Sequence, residues 1–227
     1  MKAMILAAGH GKRMRPLTDH LPKPLLEVGG KPLIVWHIKN LKQAGIKDII
    51  INMGWKGWKL PEVLGDGSNW NIHLHYSDEQ DTGPLETAGG IHHALPLLGK
   101  EPFIVVNGDI WCEYSYTNLE NLDLADNDLA HLVLTKNPEH NPDGDFHLQS
   151  NRVSDSCQPC FTFSGIGCYR PELFQDLTAG KSALAPLLRT AMQESKVSGE
   201  YFSGDWRDIG TPERLEKLNN DKLNKNQ

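Results

Sequence analysis

Gly9 and Gly11 stand within Leu6 to Thr18, LAAGHGKRMRPLT, beside Lys12, Arg13 and Arg15. Small residues let backbone N–H groups approach phosphate oxygens closely, and neighbouring cations neutralise them, so this stretch is suited to hold a polyphosphate. A little further on, Pro22-Lys23-Pro24 presents one ammonium group from a backbone stiffened by proline on both sides. Two distant carboxylates, Asp109 in Asn107-Gly108-Asp109 and Asp208 in Trp206-Arg207-Asp208-Ile209-Gly210, complete the set. A hard divalent ion takes one or two carboxylates and fills its remaining positions with phosphate oxygens and water. The same residues also suit plainer roles: a tight turn with a solvated basic face, and aspartates at turns or helix caps. Two familiar phosphate motifs do not fit. A dinucleotide fingerprint needs a glycine where Met14 stands, and a Walker loop needs Ser or Thr where Arg13 stands.

Positioning these groups requires a scaffold. Lys2 to Ala7, Asp48 to Asn52, Ile72 to Tyr76 and Phe103 to Asn107 are compact apolar runs of strand type. They alternate with helical stretches over Pro32 to Ala44, up to Leu64, and over Glu86 to Leu98. Phe-Ile-Val-Val without polar alternation reads as a strand covered on both faces, which predicts a three-layer, mostly parallel, Rossmann-like α/β sheet. Asp109 then follows a buried strand and Asp208 lies between a strand and a helix. Both fall at the carboxyl edge, where open α/β sheets bind ligands. Beyond Asp109, Leu129 to Thr135, Phe146 to Gln149 and Cys160 to Gly167 predict strands of an inserted small β region. Between them NPEHNPDGD and SNRVSDSCQP read as turns. A helix near Ala183 to Glu194, a strand at Val197 to Phe202, a helix opening at Thr211-Pro212 and a frayed tail close the chain.

The 227 residues predict one domain with a sizeable core of its own, since a chain this long buries roughly 70–75% of its unfolded surface. A net charge of −6 argues against nucleic acid or an anionic membrane as partner, so any phosphate site must be local. No apolar run approaches the ~20 residues of a membrane span, and the start reads as a strand and not as a signal peptide. Four cysteines are too few for a disulfide framework at this size, which predicts reduced thiols and a cytoplasmic setting. Cys157-Gln-Pro-Cys160 has redox spacing but lies in a loop before a β-rich run. His73/His75 and His92/His93 suit surface roles better than metal ligation.

LAAGxGxRMxPLT followed by PKPL resembles the signature of the sugar-1-phosphate nucleotidyltransferases. The resemblance continues through Pro84 to Gly90 (PLETAGG), Asn107-Gly108-Asp109, Phe163 to Ile166 (FSGI) and Trp206 to Pro212 (WRDIGTP), and so covers nearly the whole chain. It implies a GT-A-like nucleotidyltransferase fold in one domain, with residues to about 110 serving the nucleotide and about 111–210 the sugar. It implies Mg2+ held by Asp109 and Asp208, with Arg13 and Lys23 as the catalytic cations. Leu6, Ala8, Gly9, Gly11, Lys12, Asn107 and the Glu79 to Leu85 loop, with Gly83 and Leu85, would border the nucleoside triphosphate, and Thr87, Gly89, Gly144 and Asp145 the sugar-1-phosphate. Length and loop wording resemble a short bacterial uridylyltransferase branch acting on a cell-wall sugar, as a monomer or small homo-oligomer. Thymidylyl, guanylyl and glucose-specific relatives share the phosphate motifs. One departure stands out: the Glu-Lys pair by which many relatives grip the acceptor phosphate is missing from Asn151 to Cys160, NRVSDSCQPC, leaving Lys23, Arg207 and the metal as substitutes. Two rival readings are a non-catalytic module retaining the pocket, against which the joint presence of Arg13, Lys23, Asp109 and Asp208 argues, and a dinucleotide-dependent oxidoreductase, against which Met14 argues.

Overall fold

Runs of β-branched residues become the centre of one sheet. The structure is a computed structural model that describes residues 1–80, 83, 85–156 and 159–225. Strand β1 (Lys2–Leu6) leads through the glycine loop to the short hairpin β2 (Glu27–Val28) and β3 (Lys31–Pro32), then to α1 (Leu33–Gln43). Next come β4 (Asp48–Met53), α2 (Lys59–Leu64), β5 (His73–Asp78), α3 (Glu86–Leu98) and β6 (Phe103–Asn107). Strands β5, β4, β1 and β6 lie side by side and parallel. The chain continues with β7 (Ile110–Cys112), α4 (Thr117–Glu120), β8 (Ala130–Thr135), β9 (Phe146–Gln149), β10 (Arg152–Ser154) and β11 (Cys160–Tyr169). It ends with α5 (Leu184–Gln193), β12 (Val197–Phe202), β13 (Trp206–Asp208) and α6 (Pro212–Lys225).

Nine strands form one sheet in the order β5-β4-β1-β6-β11-β8-β12-β10-β9. The α/β reading holds, with a difference in the second half. Strand β11 runs antiparallel to both β6 and β8, so the sheet is mixed, and the later strands extend it instead of standing apart as an insertion. Apolar runs report burial and carry no direction, which is why the pattern could not distinguish these arrangements. Strand β10 falls in a stretch that reads as turn, and it pairs with β9 and with β12 at Arg152. The tail NNDKLNKNQ, expected to fray, continues α6 as far as Lys225. Leu215 and Leu218 are buried earlier in that helix, and Asn219, the first residue of the tail, accepts from the Gly29 N–H and donates to the Glu27 carbonyl.

Alternate residues of each central strand feed opposite faces. Ala3, Ile5, Ile49, Ile51, Ile104 and Val106 pack with Ile34, Ile38 and Leu41 of α1, while Met4, Ile50, Phe103 and Val105 pack with Ala88, Ile91 and Ala94 of α3. Each fully buried isoleucine contributes roughly 1.5–3 kcal/mol through the water it sheds. A third cluster joins Met14, Leu26, Val28, Trp111, Ile209, Leu215 and Leu218, so the glycine loop, β7 and α6 share one small core.

His37 of α1 is buried beneath that edge. Its Nε2 lies 2.9 Å from the Ile110 carbonyl, which can only accept, so Nε2 carries the proton and Nδ1 accepts from the Tyr116 hydroxyl at 3.2 Å. Burial lowers its pKa from 6.5 to about 4. The unfolded chain protonates this histidine near pH 6.5 and the folded protein does not, so its contribution is complete above that pH and is lost as pH falls toward 4. That loss amounts to about 3 kcal/mol. Urea unfolding at a series of pH values should therefore show a smaller acid loss in His37→Asn than in the wild type, even though the variant is less stable at pH 7. Identical pH slopes would exclude His37 as the source.

Candidate active site

The glycine loop is held open by its own backbone. Gly11 adopts φ +60°, and a Cβ there would come within 2.9 Å of the Thr18 side chain, whose hydroxyl donates to the Gly11 carbonyl at 2.8 Å. Met14 is buried as the anchor, while Lys12 and Arg13 on the same 3-10 turn are exposed and carry no ion pair with the described residues. Trp55 backs the loop: its indole N–H reaches the Thr18 carbonyl at 3.2 Å and its ring stacks on His10.

A buried polar chain ties this loop to the strands beneath it. The Ala7 N–H donates to Asn52 Oδ1 at 2.6 Å, Asn52 Nδ2 donates to Glu79 Oε1 at 2.7 Å, and the Leu85 N–H donates to Glu79 Oε2 at 3.3 Å. Burial pushes the Glu79 carboxyl up, opposed by the Asn52 amide and the Leu85 N–H. Asn52 and Glu79 line a cavity of about 230 Å3 together with Leu6, Ala8, Gly9 and Lys23. Neither Asn52 nor Glu79 stands in a motif. The one signal for Asn52 is a polar residue near the end of an otherwise apolar strand.

At one wall of this cavity Lys23 Nζ donates to Asp109 Oδ2 at 2.7 Å, and the lysine side chain is only 10% exposed. The ribbon of β7 and β13 brings the second carboxylate alongside: Asp208 pairs with Ile110, and the Ile209 N–H donates to the Asp109 carbonyl at 2.9 Å. Asp208 Oδ2 receives Arg214 Nη1 and lies 3.1 Å from His140 Nε2. The Oδ1 atoms of both aspartates carry no hydrogen bond from the described residues. Among those residues no three His, Cys, Asp or Glu side chains group as a metal site. Two neighbouring carboxylates, each with one oxygen uncommitted, fit an ion that draws most of its ligands from phosphate and water, as magnesium does.

A second cavity, of about 460 Å3, adjoins the first and shares Glu86, Thr87 and Asn107 with it, adding Asp145, Phe146 and Phe163. Of the residues singled out in the sequence, Leu6, Ala8, Gly9, Lys23, Thr87, Asn107 and Asp109 line the first cavity, and Thr87, Asn107 and Asp145 the second. Gly11, Lys12, Arg13, Gly83, Leu85, Gly89, Gly144 and Asp208 line neither. Thr87 to Gly90 lie at the start of α3, within the helix expected over Glu86 to Leu98, and a Cβ on Gly89 would strike the Gly180 carbonyl at 2.3 Å. Arg207 is held by Asp205 at 2.8 Å and by Asp221, so it is committed to the fold. Cys112 and Cys168 are free and buried, whereas Cys160 is disulfide-bonded, unlike the reduced thiol expected of it. Cys157 lies outside the described residues, as do Asp81, Thr82 and Pro84 of the loop that reads as a nucleotide border.

Residues 2–144 match the model of the nucleotidyl transferase family. With this match, and with the first relative below, the chain belongs to that family, among its sugar-1-phosphate nucleotidyltransferases. The N-acetylmuramate alpha-1-phosphate uridylyltransferase of Neisseria meningitidis serogroup B is 52% identical over 223 residues, 96% of each chain. A mannose-1-phosphate guanyltransferase of Aspergillus oryzae is 36% identical over 93% of this chain and 61% of its own length. The solved structure of a UDP-glucose pyrophosphorylase complexed with UDP-glucose superposes with a TM-score of 0.80 at 18% identity, covering 99% of this chain and 98% of that one, and so shares the fold.

Replacing Asn52 by Ala removes two buried hydrogen bonds at once. The variant should lose about 1–3 kcal/mol of stability and bind nucleoside triphosphate more weakly, as a thermal melt with and without nucleotide would record. A melt and a nucleotide affinity equal to wild type would show that the loop does not depend on this chain of bonds.

Proposed function

We propose that this protein transfers a uridylyl group from UTP to N-acetylmuramate alpha-1-phosphate, giving UDP-N-acetylmuramate and pyrophosphate, in the cytoplasmic reuse of a cell-wall sugar. The observation that carries the reading is the Lys23–Asp109 pair in the wall of a cavity beside the glycine loop, which adjoins, through Glu86, Thr87 and Asn107, a second cavity beside Asp145 and Phe163. The identity of 52% to the uridylyltransferase supports the choice of base and sugar. The nucleotide belongs to the half of the chain up to about residue 110, and the sugar to residues from about 111 to 210. Among the described residues no helix is long and apolar enough to cross a membrane.

Pressing a sugar phosphate against a triphosphate costs roughly 4 kcal/mol per pair of unit charges at 4 Å, with an effective dielectric near 20. An oxygen of the sugar phosphate attacks the α-phosphorus, the bond to the β-phosphate oxygen breaks in line, and pyrophosphate leaves with the electron pair. The nucleophile is already anionic, so no general base is needed, and the protein contributes position and compensating charge. Lys12 and Arg13, exposed and unpaired, receive the β- and γ-phosphates at the glycine loop. Lys23 turns from Asp109 to the α-phosphate. Asp109 and Asp208 would hold Mg2+, which neutralises the oxygens on which charge gathers. Thr87, Asn107 and Asp145 orient the sugar.

Asp109→Asn and Asp208→Asn should each keep the fold by circular dichroism and lower kcat by about 10²–10⁴-fold, the loss of roughly 3–5 kcal/mol of transition-state stabilisation. The assay is pyrophosphate release across four nucleoside triphosphates and a set of sugar-1-phosphates, with and without Mg2+. Turnover with another base or sugar but not with this pair would replace the substrate assignment, and no turnover with any pair would remove the activity.

A further inference from the structure

The Glu-Lys pair missing from Asn151 to Cys160 leaves open which cation receives the acceptor phosphate. Arginines near the two cavities differ in how far they are already occupied. Arg189, in the wall of the larger cavity, is paired with Asp155 at 2.9 Å. Arg207 is taken at both ends by Asp205 and Asp221. Arg214 is different: Nη1 alone is engaged, with Asp208 Oδ2 and at 3.4 Å from His140, while Nε and Nη2 carry no hydrogen bond to the described residues. Those two groups form the edge of the guanidinium that fits a phosphate bidentately.

Arg214 lines a cleft of about 400 Å3 together with His140, Trp206, Asp208 and Lys217. Lys217 lies three residues along α6, on the same helix face, and is exposed without an ion pair to the described residues. This cleft and the larger cavity have separate linings, joined by two short links. The loop that carries His140 into the cleft carries Asp145 into the cavity, with Asn141 Nδ2 bonded to the Asp145 carboxylate at 3.3 Å. Trp206 Nε1 donates to the Ser164 carbonyl at 2.8 Å, beside Phe163 of the cavity wall. A sugar in the cavity with its phosphate turned toward Asp208 is thereby directed to the cleft that Asp208 and Arg214 line together.

We propose that Arg214, assisted by Lys217, binds the phosphate of the acceptor sugar, in place of the absent Glu-Lys pair. Asp208 keeps the guanidinium aimed at the cleft through Nη1 and leaves the bidentate edge free. The inference rests on the uridylyltransferase reading, and its test separates the two. N-acetylmuramate alpha-1-phosphate is titrated calorimetrically into enzyme saturated with Mg2+ and a non-hydrolysable UTP analogue, and the analogue is titrated separately. Arg214→Gln should weaken the sugar phosphate by about tenfold or more, in the range of a lost charge-assisted pair, and leave the analogue within about twofold. Unphosphorylated N-acetylmuramate should bind wild type and variant alike. In turnover, KM for the acceptor should rise with KM for UTP unchanged, and added guanidinium should restore part of the rate in Arg214→Ala and none in wild type. Arg214→Lys, which keeps the charge, carries the same comparison if Arg214→Gln does not fold. Unchanged acceptor affinity, or equal weakening of acceptor and analogue, overturns the role of Arg214. Wild type that binds neither probe overturns the uridylyltransferase reading itself, and the inference with it.

Discussion

Like charges have to be brought together here, and the protein must hold the compensating cations ready without leaving them unpaired in a folded interior. Its answer is to store charge as pairs. Lys23 is almost wholly buried, and a buried ammonium without a partner would be costly, so Asp109 holds it at 2.7 Å. Asp208 holds Arg214 in the same way. Each pair is neutral at rest; on the proposed reading Lys23 would leave Asp109 for a phosphate, whereas Arg214 would stay on Asp208 through Nη1 and use its other edge. Lys12 and Arg13 need no such partner because they stand in water. Burial thus decides which cations are paired beforehand and which wait exposed.

Much of this was legible in the residues, and the boundary of legibility has a physical cause. The glycine loop and the Pro22-Lys23-Pro24 segment are local devices, in which the backbone preferences of neighbours produce the shape, so adjacent letters suffice. The parallel half of the sheet is equally plain, since strands covered on both faces have to be apolar throughout. Long-range partners left no such trace. Asn52 meets Ala7 from 45 residues away and Glu79 from 27, and nothing local marks either contact. The Arg207 commitment to Asp205 and Asp221 and the Arg214 hold on Asp208 depend on where α6 docks. The sequence alone made Arg207 look available and drew no attention to Arg214. Strand β11 illustrates the same limit for topology, because its burial was readable and its direction was not.

The two carboxylates sit on elements too short to hold themselves. Strands β7 and β13 have three residues each, and a two-stranded ribbon of that size is unstable in water. Their position therefore depends on what lies behind them. Trp111 and Ile209 of the ribbon enter the same small core as Met14 of the glycine loop and Leu215 and Leu218 of α6. His37 fixes the Ile110 carbonyl from below through a tautomer that its two partners determine. Packed cores move between discrete arrangements and do not deform smoothly, so a core shared by the phosphate loop, the ribbon and α6 makes their displacements correlated. Lys12 and Arg13 on the loop, Asp109 and Asp208 at the ribbon, and Arg214 on α6 are then one rigid set of charges, although they come from opposite ends of the chain. That rigidity is what a reaction catalysed by position and charge requires, because a misplacement of about an ångström can cost on the order of 10²-fold in rate.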